Sequence, residues 1–264
     1  MTGRADVHLI VRAEYHDADF VRRELLALLA EDTRVRVRCD SDWGNADALG
    51  DARMLVTYTS NVFPNDRQRV DLERFLRNGG RWLAIHGSAA HTEFKPPEVD
   101  IGGIRLPGLT DTPDRQPEYM DLLGCRFVSH LAQQEIELKP VSEHPLVAGL
   151  SPFSVVDEPY ILEMRGECEV LLESRFTGEA PGYVEGPWLE DLPRPQMLLH
   201  RVGKGEVVYL APGHACGPYD LRPFIDQMPV QHGPWTNPAF REVLSRAVRW
   251  GIRADEFAEA GEAA

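Results

Sequence analysis

Two of the nine histidines in this 264-residue chain follow apolar runs directly. His86 closes Arg81-Trp-Leu-Ala-Ile-His86, and His214 closes Ala211-Pro-Gly-His214 after a second such run. The small residues Gly87-Ser-Ala-Ala90 permit a tight strand-to-helix turn at His86, which would lift its imidazole over a sheet edge. That is the geometry of a nucleophile elbow with histidine in the nucleophile's place. His130 in Phe127-Val-Ser-His130 and the acidic pair Asp157-Glu158 ahead of Pro159-Tyr160 complete the set. Imidazole binds metals and titrates near neutrality, so two chemistries are open. His86, His130 and His214, with the carboxylate of Glu158, would suit zinc or another divalent first-row cation with a position left for substrate. Without a metal, the same groups could take a proton from carbon beside a carbonyl. The candidate catalytic residues are therefore His86, His214 and Glu158, and the candidate metal ligands His86, His130 and His214. His130, His91, Asp157 and Tyr160 are the candidate substrate contacts. Each has a plainer rival: a histidine after a strand can cap backbone groups, Asp157-Glu158 can be a solvated turn, and His91 can be structural. Cys216 is either a reactive thiol beside His214 or a small core filler.

The elements that must position these residues alternate in type. Val7–Val11, Val35–Cys39, Met54–Tyr58 and Arg81–His86 read as strands. An amphipathic helix runs from a cap at Asp19 to Ala30, carrying Phe20, Val21, Leu25, Leu26 and Leu29 at helical spacing. A second helix opens at Asn65 and closes at Gly79-Gly80, which suits a left-handed C-cap. Strands separated by helices imply a parallel sheet with right-handed crossovers. Ligands in such sheets bind beyond the carboxyl ends of the strands, where His86 and His214 fall. Further strands are expected at 135–138, 154–156, 169–172, 197–200 and 206–210, with Gly203-Lys-Gly205 as a hairpin turn, and a last helix at 238–250. The expectation is a single α/β domain over 1–264. It carries a proline- and glycine-rich insertion at about 93–128, a second loop at about 174–193, and a tail at 254–264 that frays.

Composition narrows the function. Against 28 Lys and Arg stand 42 Asp and Glu, a formal charge of −14. That balance argues against nucleic-acid binding, which rests on neutralising phosphates, and against anionic membranes. Val7–Val11 is too short for a signal segment and no run approaches a membrane span, so a cytoplasmic protein is expected. The four cysteines, Cys39, Cys125, Cys168 and Cys216, show no C-x-x-C spacing, which indicates neither a disulfide framework nor a zinc ribbon. The first strand leads into Val11-Arg-Ala-Glu14 with no G-x-G-x-x-G, so there is no NAD fingerprint. Trp43, Trp82, Trp188 and Trp235 are candidate stacking platforms, although Trp82 lies inside a buried strand, where core packing is its plainer role.

Several of these runs carry a resemblance. Leu55 to Phe94, with its apolar strand, its helix ending in Gly-Gly and its Ile85-His-Gly-Ser-Ala89, resembles the ThuA-like, trehalose-utilisation family. The similarity continues in Gly124-Cys-Arg-Phe127 with His130, in His144-Pro-Leu-Val-Ala-Gly-Leu150 and in Asp157-Glu-Pro-Tyr160. It closes with Gly203 to His214 and Trp235-Thr-Asn-Pro-Ala-Phe-Arg-Glu242, covering nearly the whole chain in order. The resemblance implies a flavodoxin-like sheet of the class I glutamine amidotransferase type, mostly parallel, with helices on both faces. The amidotransferase relatives have a cysteine at the elbow and a later His-x-Glu; here stand His86 and His214-Ala-Cys216, so glutamine chemistry is not expected. By resemblance the substrate is a neutral sugar, trehalose or a related keto-disaccharide, to be isomerised, eliminated or hydrolysed. A partner dehydrogenase would supply any hydride step, and self-association is a further expectation. The alternative is a non-catalytic sugar-binding or regulatory protein on a degenerate amidotransferase scaffold.

Overall fold

The alternation legible in the first third is realised in the computed structural model, which describes residues 4–253. The tail expected at 254–264 lies outside the described residues. Strand β1 (Ala5–Ala13) leads through a short loop to α1 (Ala18–Leu29), followed by β2 (Val35–Asp40) and β3 (Met54–Ser60). Helix α2 (Asp66–Arg77) then returns the chain to β4 (Arg81–Ile85). The cap of α1 is Asp17 rather than Asp19: its carboxylate accepts the N–H of Phe20. Helix α2 opens with a full capping box, in which Asn65 accepts from Gln68 N–H and the Gln68 side chain accepts from Asn65 N–H. Such a cap contributes about 1 kcal/mol.

The expected insertion is not structureless. It holds two small antiparallel ladders, β5 (Glu93–Lys95) with β8 (Leu109–Asp111) and β6 (Val99–Ile101) with β7 (Ile104–Leu106). Helix α3 (Pro117–Leu123) and strand β9 (Cys125–His130) follow. Proline- and glycine-rich composition hid these elements, most of them only three residues long. Next come β10 (Gln134–Pro140), β11 (Phe153–Asp157), β12 (Tyr160–Met164), β13 (Cys168–Arg175), β14 (Pro193–Val202), β15 (Gly205–Leu210) and α4 (Pro238–Ile252).

Nine strands form one sheet in the order β11-β10-β13-β14-β15-β4-β3-β1-β2. The segment β15-β4-β3-β1-β2 is wholly parallel. Beyond β15 the pairing turns antiparallel, yet only β14 and β10 run against the rest. The carboxyl ends of β1, β4, β15 and β11 therefore share one direction.

Side-chain alternation builds the layers. Leu9, Val11, Val56, Tyr58, Leu83, Ile85, Val208 and Leu210 face α1 and α4. Ile10, Leu55, Trp82, Ala84, Val207 and Tyr209 face α2 and α3. A sheet buried on both faces is the helix–sheet–helix sandwich of a flavodoxin-like fold. Trp43, Trp82 and Trp235 are core residues, 1%, 0% and 7% exposed, and offer no free face to a sugar. Their apolar bulk reads alike in sequence whether it packs or stacks. Trp188 is half-buried, its indole N–H donating to Ser129 Oγ at 2.6 Å. The loops at 93–128 and 174–193 are fastened together where Thr110 N–H donates to Gly182 O and Val184 N–H donates to Thr110 O. No helix among the described residues is long and apolar enough to cross a membrane.

Candidate functional site

The site assembles where those carboxyl ends converge. His86 is the first residue past β4 and sits at φ +52°, the left-handed conformation of an elbow that non-glycine residues rarely adopt. Holding it there costs about 1–3 kcal/mol. Gly87 lets the turn close, since a Cβ at this position would lie 2.6 Å from Thr59 O. His214 follows β15, and the buried carboxylate of Asp157, at the end of β11, fixes that segment by accepting from Gly213 N–H at 2.7 Å. The N–H of His214 also approaches Asp157, at 3.4 Å. Asp157 is thus wedged under the backbone; burial raises its pKa, with His86 and His214 pulling the other way.

Glu158 is the centre of charge. Its oxygens lie 3.2 Å from His214 Nδ1, 3.5 Å from His86 Nε2 and 3.6 Å from His130 Nε2. Burial pushes its pKa up, but the charges of the surrounding imidazoles, His130 and His214 foremost, outweigh that and hold it well below the usual range. In return Glu158 raises His214, against a burial effect that would lower it, to about 9.

A fourth group enters that the sequence reading passed over. His16, in the loop between β1 and α1, places its Nε2 3.1 Å from His86 Nε2. Its loop is clamped by the cap at Asp17, whose own N–H donates to Ala215 O. The same strand-end rule that singled out His86 and His214 would have found His16, three residues beyond β1.

The protons on these rings decide what the cluster can hold. His16 Nδ1–H donates to Glu14 O at 2.5 Å and His86 Nδ1–H donates to Ala211 O at 2.7 Å. A neutral imidazole has one N–H, so the neutral form of either ring, with Nδ1–H given to a carbonyl, presents Nε2 as a lone pair. Burial and the neighbouring histidines push His16 down to about 3, which keeps it neutral. The two Nε2 atoms face each other at 3.1 Å. Tyr160 Oη, 3.0 Å from His86 Nε2, competes for the same lone pair. His214 Nδ1 lies close to Glu158 but out of line for a hydrogen bond, and is buried without a partner.

These nitrogens, one of them without a partner, together with the carboxylate could ligate a cation. One ligand atom from each of His16, His86, Glu158 and His214 lies within 4.8 Å of every other. A tetrahedral ion with bonds of about 2.0–2.1 Å sets its ligands about 3.4 Å apart. The contacts of 3.1 Å between His16 and His86, 3.5 Å from His86 to Glu158 Oε2 and 3.2 Å from His214 to Glu158 Oε1 are close to that spacing, the last two through different carboxylate oxygens. This His/Glu cluster could hold a metal.

The other expected residues fall at different distances. His130 stands one step out, against Glu158, with Nδ1–H donating to Leu131 O and its ring stacked on Tyr160. Tyr183, from the second loop, meets His130 edge-on at 4.9 Å. His91 is not brought to the cluster; it stacks on Phe63 and bonds Glu93. Cys216 is buried against Met228 Sδ and Gly217 O, and burial pushes its thiol up to about 12. It is a core filler and no thiolate.

With this geometry established, comparison with known proteins places the chain. The sequence profile of the ThuA family, described as trehalose utilisation, matches residues 9–251. A comparison with curated protein sequences found no match. Among solved structures, a ThuA-like protein from Parabacteroides merdae is 15% identical with a TM-score of 0.60, over 94% of this chain and 90% of that one. A ThuA-like protein from Bacteroides uniformis is also 15% identical, with a TM-score of 0.61 over the same shares. A cold-adapted β-galactosidase from Rahnella sp. R3 is 13% identical with a TM-score of 0.54, over 97% of this chain and 31% of its own. At these identities the likeness is one of fold. The profile match spans nearly every described element, and on it the chain belongs to the ThuA, or trehalose-utilisation, family.

Proposed function

We propose that this protein is an enzyme of carbohydrate utilisation that acts on a neutral sugar, trehalose or a related keto-disaccharide, at the His16–His86–Glu158–His214 cluster. The observation that carries this reading is the convergence of one imidazole nitrogen each from His16, His86 and His214 with the carboxylate of Glu158 beyond the strand ends. A divalent first-row cation bound there would supply Lewis-acid polarisation of a substrate oxygen. The protein's own groups supply the rest. Glu158 and His214 form a proton-holding pair, His130 is the nearest imidazole outside the four, and Tyr160 offers a hydroxyl beside His86. The partners of Glu158 are imidazoles rather than guanidinium or ammonium groups, which supports a neutral substrate over an anionic one. His130, stacked on the buried Tyr160 and met edge-on by Tyr183, gives the cluster an aromatic border suited to a sugar ring.

Isomerisation, elimination and hydrolysis of an oxidised glycoside all need a polarised oxygen and a base at hand, and the reading embraces the three. Glutamine chemistry is set aside, because the elbow carries imidazole and the nearby thiol stays protonated. A keto-sugar substrate would come from a partner dehydrogenase. The four unpaired cysteines support a reducing, cytoplasmic setting.

The test is elemental analysis of wild type, His86→Ala and His214→Ala, together with turnover of a panel of 3-keto-disaccharides. Near-stoichiometric zinc, manganese or iron in wild type, lost in both variants along with turnover, is the expected result. Sugar binding that His86→Ala merely weakens, with no conversion under any metal, would leave a binding protein instead.

A further inference from the structure

The cluster's three imidazoles are not held alike. His16 and His86 are fixed by backbone carbonyls that take the Nδ1 proton. His214 is turned the other way, with Nδ1 toward Glu158 and Nε2 2.9 Å from the Gln231 side-chain oxygen. A neutral His214 beside a carboxylate would ordinarily keep its proton on Nδ1 and donate it to Glu158, closing that lone pair. An acceptor at Nε2 opposes this by drawing the proton to the far side of the ring.

We propose that Gln231 is a positioning residue that selects the His214 tautomer with Nδ1 bare toward the cluster, and that residues 231–235 are the strap that holds Gln231 in place. The proposal rests on the reading that the cluster binds a divalent cation. The strap is tied to the His214 segment at Gln231, Gly233 and Trp235, and to α1 at His232. Gln231 and Cys216 exchange backbone hydrogen bonds at 2.7 and 2.8 Å. Gly233, at φ +48°, lies so close that a Cβ would stand 2.2 Å from His214 O. Trp235 donates its indole N–H to Gly213 O at 2.8 Å, and His232 stacks on Phe20 of α1 at 3.9 Å. These contacts leave Gln231 little freedom to withdraw its oxygen. The opposite amide orientation would offer an N–H to Nε2 and force the proton to Nδ1, so the two arrangements predict opposite behaviour.

Gln231→Met keeps the length of the side chain and removes the acceptor, while Gln231→Glu keeps an acceptor of the same reach. Two readouts apply to full-length protein. The first is Co(II) affinity by competition with a chelator, with the visible spectrum of the bound ion. The second is long-range ¹H–¹⁵N NMR of the metal-free protein at about pH 10, which reports the His214 tautomer. Wild type and Gln231→Glu should show the proton on Nε2, and Gln231→Met should show it on Nδ1. Co(II) affinity should fall about 10- to 100-fold in Gln231→Met, with an altered spectrum, and recover in Gln231→Glu. A wild-type proton on Nδ1, or a Gln231→Met protein with wild-type tautomer and affinity, overturns the proposal. If wild type takes up no Co(II) while its tautomer still depends on residue 231, Gln231's role stands and the metal reading falls.

Discussion

The two halves of the sheet contribute to the site in different ways. Residues 5–90 form the parallel half, where His16 and His86 sit just past β1 and β4 with their Nδ1 protons committed to backbone carbonyls. Residues 93–202 form the antiparallel half and supply Glu158, Asp157, His130 and Tyr160, which act through charge and side-chain hydrogen bonds. In the first half the backbone dictates ring orientation, so the ligands are set as soon as the fold forms. In the second, the carboxylate sets the protonation of its neighbours, so the chemistry depends on pH. A site at the seam between them draws its rigidity from one side and its charge from the other.

The sharpest way to break this comparison is at the elbow. His86→Asn keeps a residue that tolerates the left-handed conformation but withdraws the ring. It should lower cation affinity by about 100-fold or more, with near-native thermal stability. Unchanged affinity would show that the parallel half is not the rigid donor described here. Next comes Glu158→Gln, which removes the charge and leaves the shape. In metal-free protein the His214 pKa of about 9, against 6.5 unfolded, contributes about 3 kcal/mol. Because the folded pKa is the higher one, that contribution is complete below about pH 6.5 and is lost as pH rises through about 9. Wild type with chelator should therefore lose stability over this window, and Glu158→Gln should lose much less. Parallel melting curves for the two proteins from pH 6 to 10 would dispose of the idea.

Two smaller effects sharpen the division. His130→Gln should leave cation affinity within about threefold of wild type, since its Nε2 reaches Glu158 at 3.6 Å and lies outside the four-ligand set, while turnover falls. A large loss of metal would move His130 into the ligand set. Asn65→Ala removes the α2 cap and should cost about 1 kcal/mol in denaturant unfolding. It should leave metal content untouched, because the cap contacts of Asn65 are with Gln68 in the first turn of α2 and not with the four candidate ligands.

The parallel half was also the more legible one. Val7–Val11, Met54–Tyr58 and the α2 pattern announce themselves because a strand buried on both faces and an amphipathic helix have unmistakable periods. His86 and Glu158 were readable because each directly follows a strand, and His214 because it comes four residues after one. His16 falls under the same rule, three residues past β1, but its loop Glu14-Tyr-His-Asp17 looks merely polar, and the clamp between Asp17 and Ala215 that holds the loop is a contact far removed in sequence. The choice between Asp17 and Asp19 as helix cap likewise depends on where the chain leaves β1. In the antiparallel half, three-residue ladders and the strand after Pro159 lack enough length to show a period. His130 and His16 have the same chemistry in sequence, and only the register of β9 with β12, which pairs His130 with Tyr160, sets one of them outside the four.

The left-handed turn at His86 has a wider consequence. Its strain belongs to the backbone, held by Gly87 against Thr59 and by the strand behind it, and not to the imidazole. The scaffold therefore behaves as a socket, presenting whatever side chain occupies this position to the same point in space. A single codon change at that socket would swap the reacting element while the architecture around it stayed in place, and this makes the fold a natural starting point for installing new chemistry.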